Sequence, residues 1–461
     1  MSTFSGKIKE IPNISVDRFV EENLKSEIFF LSHCHTDHMV GLDSYNFKSE
    51  LMDNKKYLYA SEISCAILKN MYPQYGDCLK ILPLNTPKIF QLKNNSFAVT
   101  LIPAGHCPGS VMFLFENDKK ILYTGDYRVN INDIKKFTAF YNTCGSVKIM
   151  DKIYLDTTFF LKNYPSFPKR DESLEQLCDI LKKWLEENAS IFVHVKTSAK
   201  YGYEYVYKEI FKKIGMPVHV NKDFYKFYNL IPELDGTVTL DPTKTRIHGN
   251  CGTKLAYNCL SDEKLLEIKT VKLSAMMWNK NRKYEPKIGT HCICYSTHAS
   301  YEEGVALINF LKPKDIEICV EHEDVCINNE IRKLVQHHLL KIRNVSPSNQ
   351  SVEPKLFNIG KRKESLVKNM NYEIFESSNS ENSSNRTDLN VVKHNESQSE
   401  EQFLDTVQNS DDDKNVLYKI MFGSPEISTN KVVDIIPDVS DEEDSVIYNI
   451  INWSPNKKKK L

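Results

Sequence analysis

Six consecutive residues constrain this chain more than any others: His33-Cys34-His35-Thr36-Asp37-His38. Three imidazoles and a carboxylate stand together directly after the apolar run 28–31, which reads as a β-strand. Packing does not account for them. Neighbouring imidazoles repel as cations at low pH and are costly to bury without partners. A divalent metal removes both penalties, because imidazole and carboxylate are favoured ligands of zinc and similar ions. The H-x-H-x-D-H spacing lets one loop serve two adjacent ions, with His33 and His35 turned to one and Asp37 and His38 to the other. The alternative is a polar surface loop that happens to be rich in histidine.

Such a centre needs further ligands, and two candidates follow in order. His106 sits in Ala104-Gly105-His106-Cys107-Pro108-Gly109-Ser110, again just after a strand-like run, 99–102. Glycine and proline make that a tight loop, which suits a positioned ligand. Taken alone, a single histidine is more often structural; beside the first motif it reads as a ligand. Asp126 follows the run 121–123 in Tyr123-Thr124-Gly125-Asp126-Tyr127-Arg128. Its two oxygens suit a bridge between ions, although an aspartate after glycine is ordinarily a turn residue.

The surrounding pattern is α/β. Apolar runs of strand length occur at 28–31, 99–102, 111–115, 121–123 and 153–155, each ending in polar, glycine or histidine residues. Functional groups on loops at strand ends are what a rigid catalytic scaffold provides. Residues 173–188 carry the clearest helical face, Leu174, Leu177, Ile180, Leu181, Trp184 and Leu185. A strand at 190–195 and helices at 301–311 and 328–340 follow. Lysine plus arginine (60) nearly cancels aspartate plus glutamate (61), so net charge says little about partners. The first ten residues lack an apolar core of signal-peptide length, and no run approaches the roughly 20 apolar residues of a membrane helix. The twelve cysteines form no dense framework. A soluble, intracellular protein with reduced thiols is expected. Beyond about residue 345 serine, asparagine, acidic residues and lysine dominate, a composition that buries too little apolar surface to fold and predicts a disordered tail.

The series H-x-H-x-D-H, strand-end His106 and strand-end Asp126 resembles the metallo-β-lactamase family. The resemblance implies an αββα sandwich and hydrolysis by a metal-activated water, with ions roughly 3.5–4 Å apart. Tyr154-Leu155-Asp156-Thr157-Thr158-Phe159 resembles the start of the second domain in the β-CASP branch, whose members cleave nucleic acids and carry an inserted cap domain. His298, in Ser296-Thr297-His298-Ala299-Ser300-Tyr301, matches that branch's late histidine. The position that carries histidine in RNA-directed members and valine in DNA-directed ones is best matched by Val320, which favours DNA. The runs Tyr201-Gly202-Tyr203-Glu204-Tyr205, Val218-His219-Val220-Asn221-Lys222 and Ile14-Ser15-Val16-Asp17-Arg18-Phe19 resemble the DNA-repair members and add Asp17 near the site.

By this resemblance the domains are expected at 1–156 (first part of the lactamase domain), 157–290 (cap), 291–345 (second part) and 346–461 (partner-binding tail). His33, His35, His106 and Asp126 hold the first ion, expected to be zinc. Asp37, His38, Asp126 and His298 hold a second, for which magnesium or manganese also serve. Asp156 and Asp17 orient ligands or move protons. A structural zinc in the cap is implied at His219, His248, Cys251 and Cys259, with spacings that depart from the family's. Ser296 matches a substrate-binding serine. The accompanying lysine position carries Ser198, flanked by Lys196 and Lys200. Lysines interleaved with Tyr201, Tyr203, Tyr205 and Tyr207 suit single-stranded DNA, though most of these tyrosines read as core. The implied activity is a nuclear, monomeric DNA endonuclease with 5′-exonuclease activity. Its DNA substrates would be hairpins, single-strand/double-strand junctions and 5′ ends in non-homologous end joining. The tail would meet the DNA-dependent protein kinase catalytic subunit and DNA ligase IV. The rival readings are a sibling 5′-exonuclease of crosslink repair or telomere ends, an RNA-processing endonuclease, a non-catalytic scaffold and a small-molecule hydrolase.

Overall fold

The structure, a computed structural model, describes residues 2–93, 95–197, 199, 201–249, 267–281 and 290–344. The cap cysteines Cys251 and Cys259, with Ser198, Lys200 and the tail beyond 344, lie outside the described residues.

Strands β1 (Ile14–Val16), β2 (Ile28–Phe30), β3 (Tyr57–Ala60) and β4 (Leu79–Ile81) form a parallel sheet in that order. Strands β5 (Lys88–Leu92), β6 (Asn95–Pro103), β7 (Val111–Glu116) and β8 (Lys120–Tyr123) run antiparallel in a second sheet, and β9 (Lys152–Leu155) adds in parallel. Side chains alternate across each strand, and the sequence exploits that alternation on both faces. Val111, Phe113 and Phe115 of β7 meet Val16, Phe30 and Tyr59 of the first sheet in one core. Met112 and Leu114 point the other way into another. Phe29, Leu31 and Leu58 cover the far side of the first sheet, under α1 (Tyr45–Met52) and α2 (Glu62–Met71). A short helix α3 (Ile131–Ile134) follows β8.

The chain then leaves the sandwich and builds the cap. Its sheet is six-stranded and parallel throughout, ordered β12-β11-β13-β10-β14-β15. These strands are β10 (Ile191–Lys196), β11 (Val218–His219), β12 (Val238–Thr239), β13 (Ile247–Gly249), β14 (Glu267–Leu273) and β15 (Thr290–Ile293). Helices α4 (Arg170–Glu187) and α5 (Glu204–Ile214) pack on it through Leu174, Leu177, Leu181, Val206 and Ile210. Strand β16 (Asp315–Ile318) returns to the second sheet beside β9. Helix α7 (Tyr301–Leu311) and helix α8 (Val325–Asn344) cover that sheet's outer face; α6 (Lys222–Tyr228) belongs to the cap. The layers are therefore helix, sheet, sheet, helix, the metallo-β-lactamase sandwich, with a β-CASP cap inserted after β9. No helix among the described residues is long and apolar enough to cross a membrane.

Candidate metal centre

The ends of β2, β6, β8, β9 and β15 deliver His33, His106, Asp126, Asp156 and His298 to one edge of the sandwich. Four groups, His33, His35, His106 and Asp126, offer ligand atoms all within 4.8 Å of one another. A second set, Asp126, Asp156 and His298, and a third, Asp17, His33 and His38, meet the same limit.

The hydrogen bonds assign each ring's proton. His35 Nε2 donates to the Tyr201 carbonyl at 2.8 Å, so its Nδ1 carries a lone pair. His106 Nδ1 donates to the Thr297 carbonyl at 2.9 Å, so its Nε2 carries one too. The Ser32 hydroxyl gives its hydrogen to Asp17 and therefore accepts from His33 Nδ1, which frees His33 Nε2. These three unprotonated nitrogens converge, with His35 Nδ1 2.9 Å from His106 Nε2 and 3.1 Å from His33 Nε2. Lone pairs facing one another at that range, with no hydrogen between them, call for a cation. Burial, reinforced by the neighbouring imidazoles, holds His33 and His106 well below the usual imidazole range, and burial lowers His35. That is the neutral form a metal binds.

The remaining groups repeat the logic. His38 Nδ1 donates to Asp17 at 2.8 Å. Its Nε2 is buried without a hydrogen-bond partner among the described residues, 3.2 Å from Asp126 and 3.9 Å from Asp37. His298 Nδ1 donates to Asp156 at 2.9 Å, leaving Nε2 3.8 Å from Asp126. Burial opposes the charge on His38, yet Asp126 and Asp37 outweigh it and raise His38 well above its ordinary value. Burial likewise opposes charge on Asp126, and His38 and His298 outweigh it and hold the carboxyl well below the usual range. The carboxylates thus draw positive charge to the point where a divalent ion belongs.

Asp17 and Asp156 stand behind the histidines. Asp17 also accepts from the Ser32 amide and the Tyr123 hydroxyl, and Asp156 from the Thr158 amide and hydroxyl. A carboxylate on the far nitrogen fixes a metal-binding imidazole's tautomer and raises its basicity. Asp37 accepts the Ser2 amide at 2.7 Å.

Other sequence-predicted residues fall differently. The Ser296 hydroxyl is buried, donates to the His298 carbonyl and accepts from the His298 amide, so it shapes the His298 turn. Tyr201, Tyr203 and Tyr207 are buried in the cluster that forms the cap core, Tyr207 on the face of α5 and Tyr201 and Tyr203 in the segment that precedes it. Lys196 ends β10 half-buried. In the cap, His219 and His248 lie side by side on β11 and β13, their Nδ1 atoms 3.0 Å apart. Burial and His219 push His248 down to about 4, and its Nε2 has no hydrogen-bond partner among the described residues. Two arginines carry no sequence signal of their role. Arg170 donates to the Gly105 and Ser296 carbonyls, and Arg128 to those of Ser296 and Pro168. Together they tie the His106 loop to the His298 loop.

No family model matches the chain. It is 33% identical over 390 residues to Protein artemis of Homo sapiens, which covers 79% of this chain and 54% of that protein. With Protein artemis of Danio rerio the identity is 32% over 343 residues, 68% of this chain and 53% of that protein. The chain is a homologue of the Artemis proteins. The DNA cross-link repair 1A protein of Homo sapiens is a more distant relative, 27% identical over 62% of this chain and 27% of its own length. The chain spans about half the length of the Artemis proteins it matches. Beside that similarity stands the histidine and aspartate cluster, a set of groups that could hold a metal ion.

Proposed function

We propose that this protein is a DNA-repair nuclease, an endonuclease with 5′-to-3′ exonuclease activity that opens hairpins and trims overhangs during non-homologous end joining. The observation that carries the reading is the convergence of three unprotonated imidazole nitrogens beside Asp126, in a chain similar to the Artemis proteins. His33, His35, His106 and Asp126 hold the first ion; Asp37, His38, Asp126 and His298 hold the second. Zinc suits the histidine-rich first position, and magnesium or manganese suits the more oxygen-rich second. The bound ions supply Lewis acidity toward a phosphodiester and a water. Asp17 and Asp156 are positioning residues that hold His38 and His298. Val320, buried with its carbonyl accepting the Thr157 hydroxyl, supports DNA over RNA. Nuclear action follows from the repair role, and the kinase and ligase contacts fall to residues 346–461. The paired imidazoles of His219 and His248 support a cap zinc completed by Cys251 and Cys259. The domain boundaries are proposed at 156, 290 and 345; β15, Thr290–Ile293, pairs with β14 in the cap sheet, so the last cap strand runs just past 290.

The test uses the full chain with manganese or magnesium, a blocked-end DNA hairpin and a 5′-phosphorylated single strand, with Asp37→Ala alongside. Nicking at the hairpin that the substitution abolishes is expected. Cleavage from the free 5′ end alone would favour the second reading, a crosslink-repair exonuclease, which the similarity to the DNA cross-link repair 1A protein supports. Cleavage that survives Asp37→Ala would overturn the metal assignment.

A further inference from the structure

The segment Tyr201-Gly202-Tyr203-Glu204 belongs to the cap, leading from β10 into the first residue of α5, yet it closes onto the sandwich. The Tyr201 carbonyl takes the His35 Nε2 hydrogen. The Tyr201 ring meets the His35 ring edge to face, centroids 5.7 Å apart. The Tyr201 hydroxyl donates to the Pro108 carbonyl, in the loop that carries His106. One cap residue thus touches both metal-binding loops.

The backbone after Tyr201 turns left-handed. Gly202 has φ +109°, a conformation that L side chains rarely adopt. A Cβ there would stand 3.6 Å from the Cys107 Cβ and 3.7 Å from His35 Nε2. Glu204 holds this turn. Its carboxylate oxygens accept the Gly202 amide at 3.0 and 2.8 Å. The side chain is fully buried, at 0% exposure, and burial pushes the carboxyl up to about 7. Burying a carboxyl costs free energy unless it is hydrogen-bonded. An apolar side chain would fill the space more cheaply but would leave the Gly202 amide unheld.

We propose that Glu204 is a positioning residue for the metal centre: by gripping the Gly202 amide it sets the Tyr201 carbonyl, which keeps His35 in the tautomer whose Nδ1 faces the ion. The cap loop is then part of the metal site, and the sandwich alone does not complete it. The inference rests on the metal reading above and not on which nucleic acid is cut.

Zinc alone is the probe. The full chain, Glu204→Gln and Glu204→Ala are titrated with zinc against a chromophoric chelator. Imidazole 15N spectra of the metal-free proteins report the His35 tautomer. Glu204→Ala is expected to weaken zinc binding at least tenfold, the usual effect of losing a partner behind a ligand, and to mix the His35 tautomers. Glu204→Gln keeps an oxygen acceptor for the amide and is expected to restore both. Wild-type zinc affinity in Glu204→Ala, or an equal loss in Glu204→Gln, overturns the proposal. If Glu204→Ala does not fold, Gly202→Ala strains the same turn with Glu204 in place; unchanged zinc affinity there overturns it as well. Absent DNA cleavage bears only on the nuclease reading, whereas a wild-type chain that binds no zinc overturns both.

Discussion

Asp17 shows how much of this site depends on one side chain. It accepts from the Ser32 amide, the Ser32 hydroxyl, His38 and the Tyr123 hydroxyl, and it sits at φ +57°. Through Ser32 it also sets the His33 proton. Two imidazoles thereby present their Nε2 atoms inward because of one carboxylate. Asp17→Asn replaces an acceptor oxygen with a donor NH2, which cannot accept from His38. Zinc affinity is expected to fall about 10–100-fold, measured by the same chelator competition, while the fold persists. Unchanged affinity would show that His38 and His33 keep their orientation without Asp17. The candidate ligands that cluster here were legible in the sequence, because imidazole and carboxylate at strand ends have few other uses. Their orienting partners were not. Tyr201 and Thr297 act through backbone carbonyls, which every residue possesses, and Arg170 acts on two carbonyls far away in sequence.

At the scale of elements, the strands that position the site were readable because each is apolar on both faces and ends abruptly. Buried strands read as continuous apolar runs, and β2, β6, β7, β8 and β9 all do. The cap strands β11 and β12 span two residues each and leave no period to read. Nor does an apolar run state which sheet it joins. Phe30 of β2 illustrates what that placement is worth. Its ring lies 5.5 Å from the rings of Phe90, Phe113 and Phe115, across the two sheets. Phe30→Ala is expected to cost about 3–5 kcal/mol, seen as a lower urea midpoint with an unchanged slope. Tyr45→Ala, at an 81% exposed ring on α1, is expected to stay within about 0.5 kcal/mol of the parent. Equal effects from the two would mean that the sheets do not pack through Phe30.

For the whole molecule, the seam between sandwich and cap carries both the metal-facing loop and a buried acid, so stability and pH are linked there. An ordinary glutamate titrates near 4.5, whereas Glu204 is raised by burial to about 7. Below about 4.5 both folded and unfolded chains hold the proton, and the contribution to stability is complete. Between the two values the folded protein binds more protons than the unfolded chain, so each rise in pH favours unfolding. Above about 7 both are ionised and the loss levels off. A shift of this size corresponds to roughly 3 kcal/mol. Glutamine does not titrate, so the Glu204→Gln variant lacks this slope while every other group responds as before. Urea unfolding of the metal-free proteins at pH 5 and pH 8 should therefore show the parent losing roughly 2.5 kcal/mol more than the variant, since part of the contribution is already gone at pH 5. An identical pH response in the two would mean that Glu204 reaches water in the folded protein, and a carboxyl in contact with water would have no firm hold on the Gly202 amide.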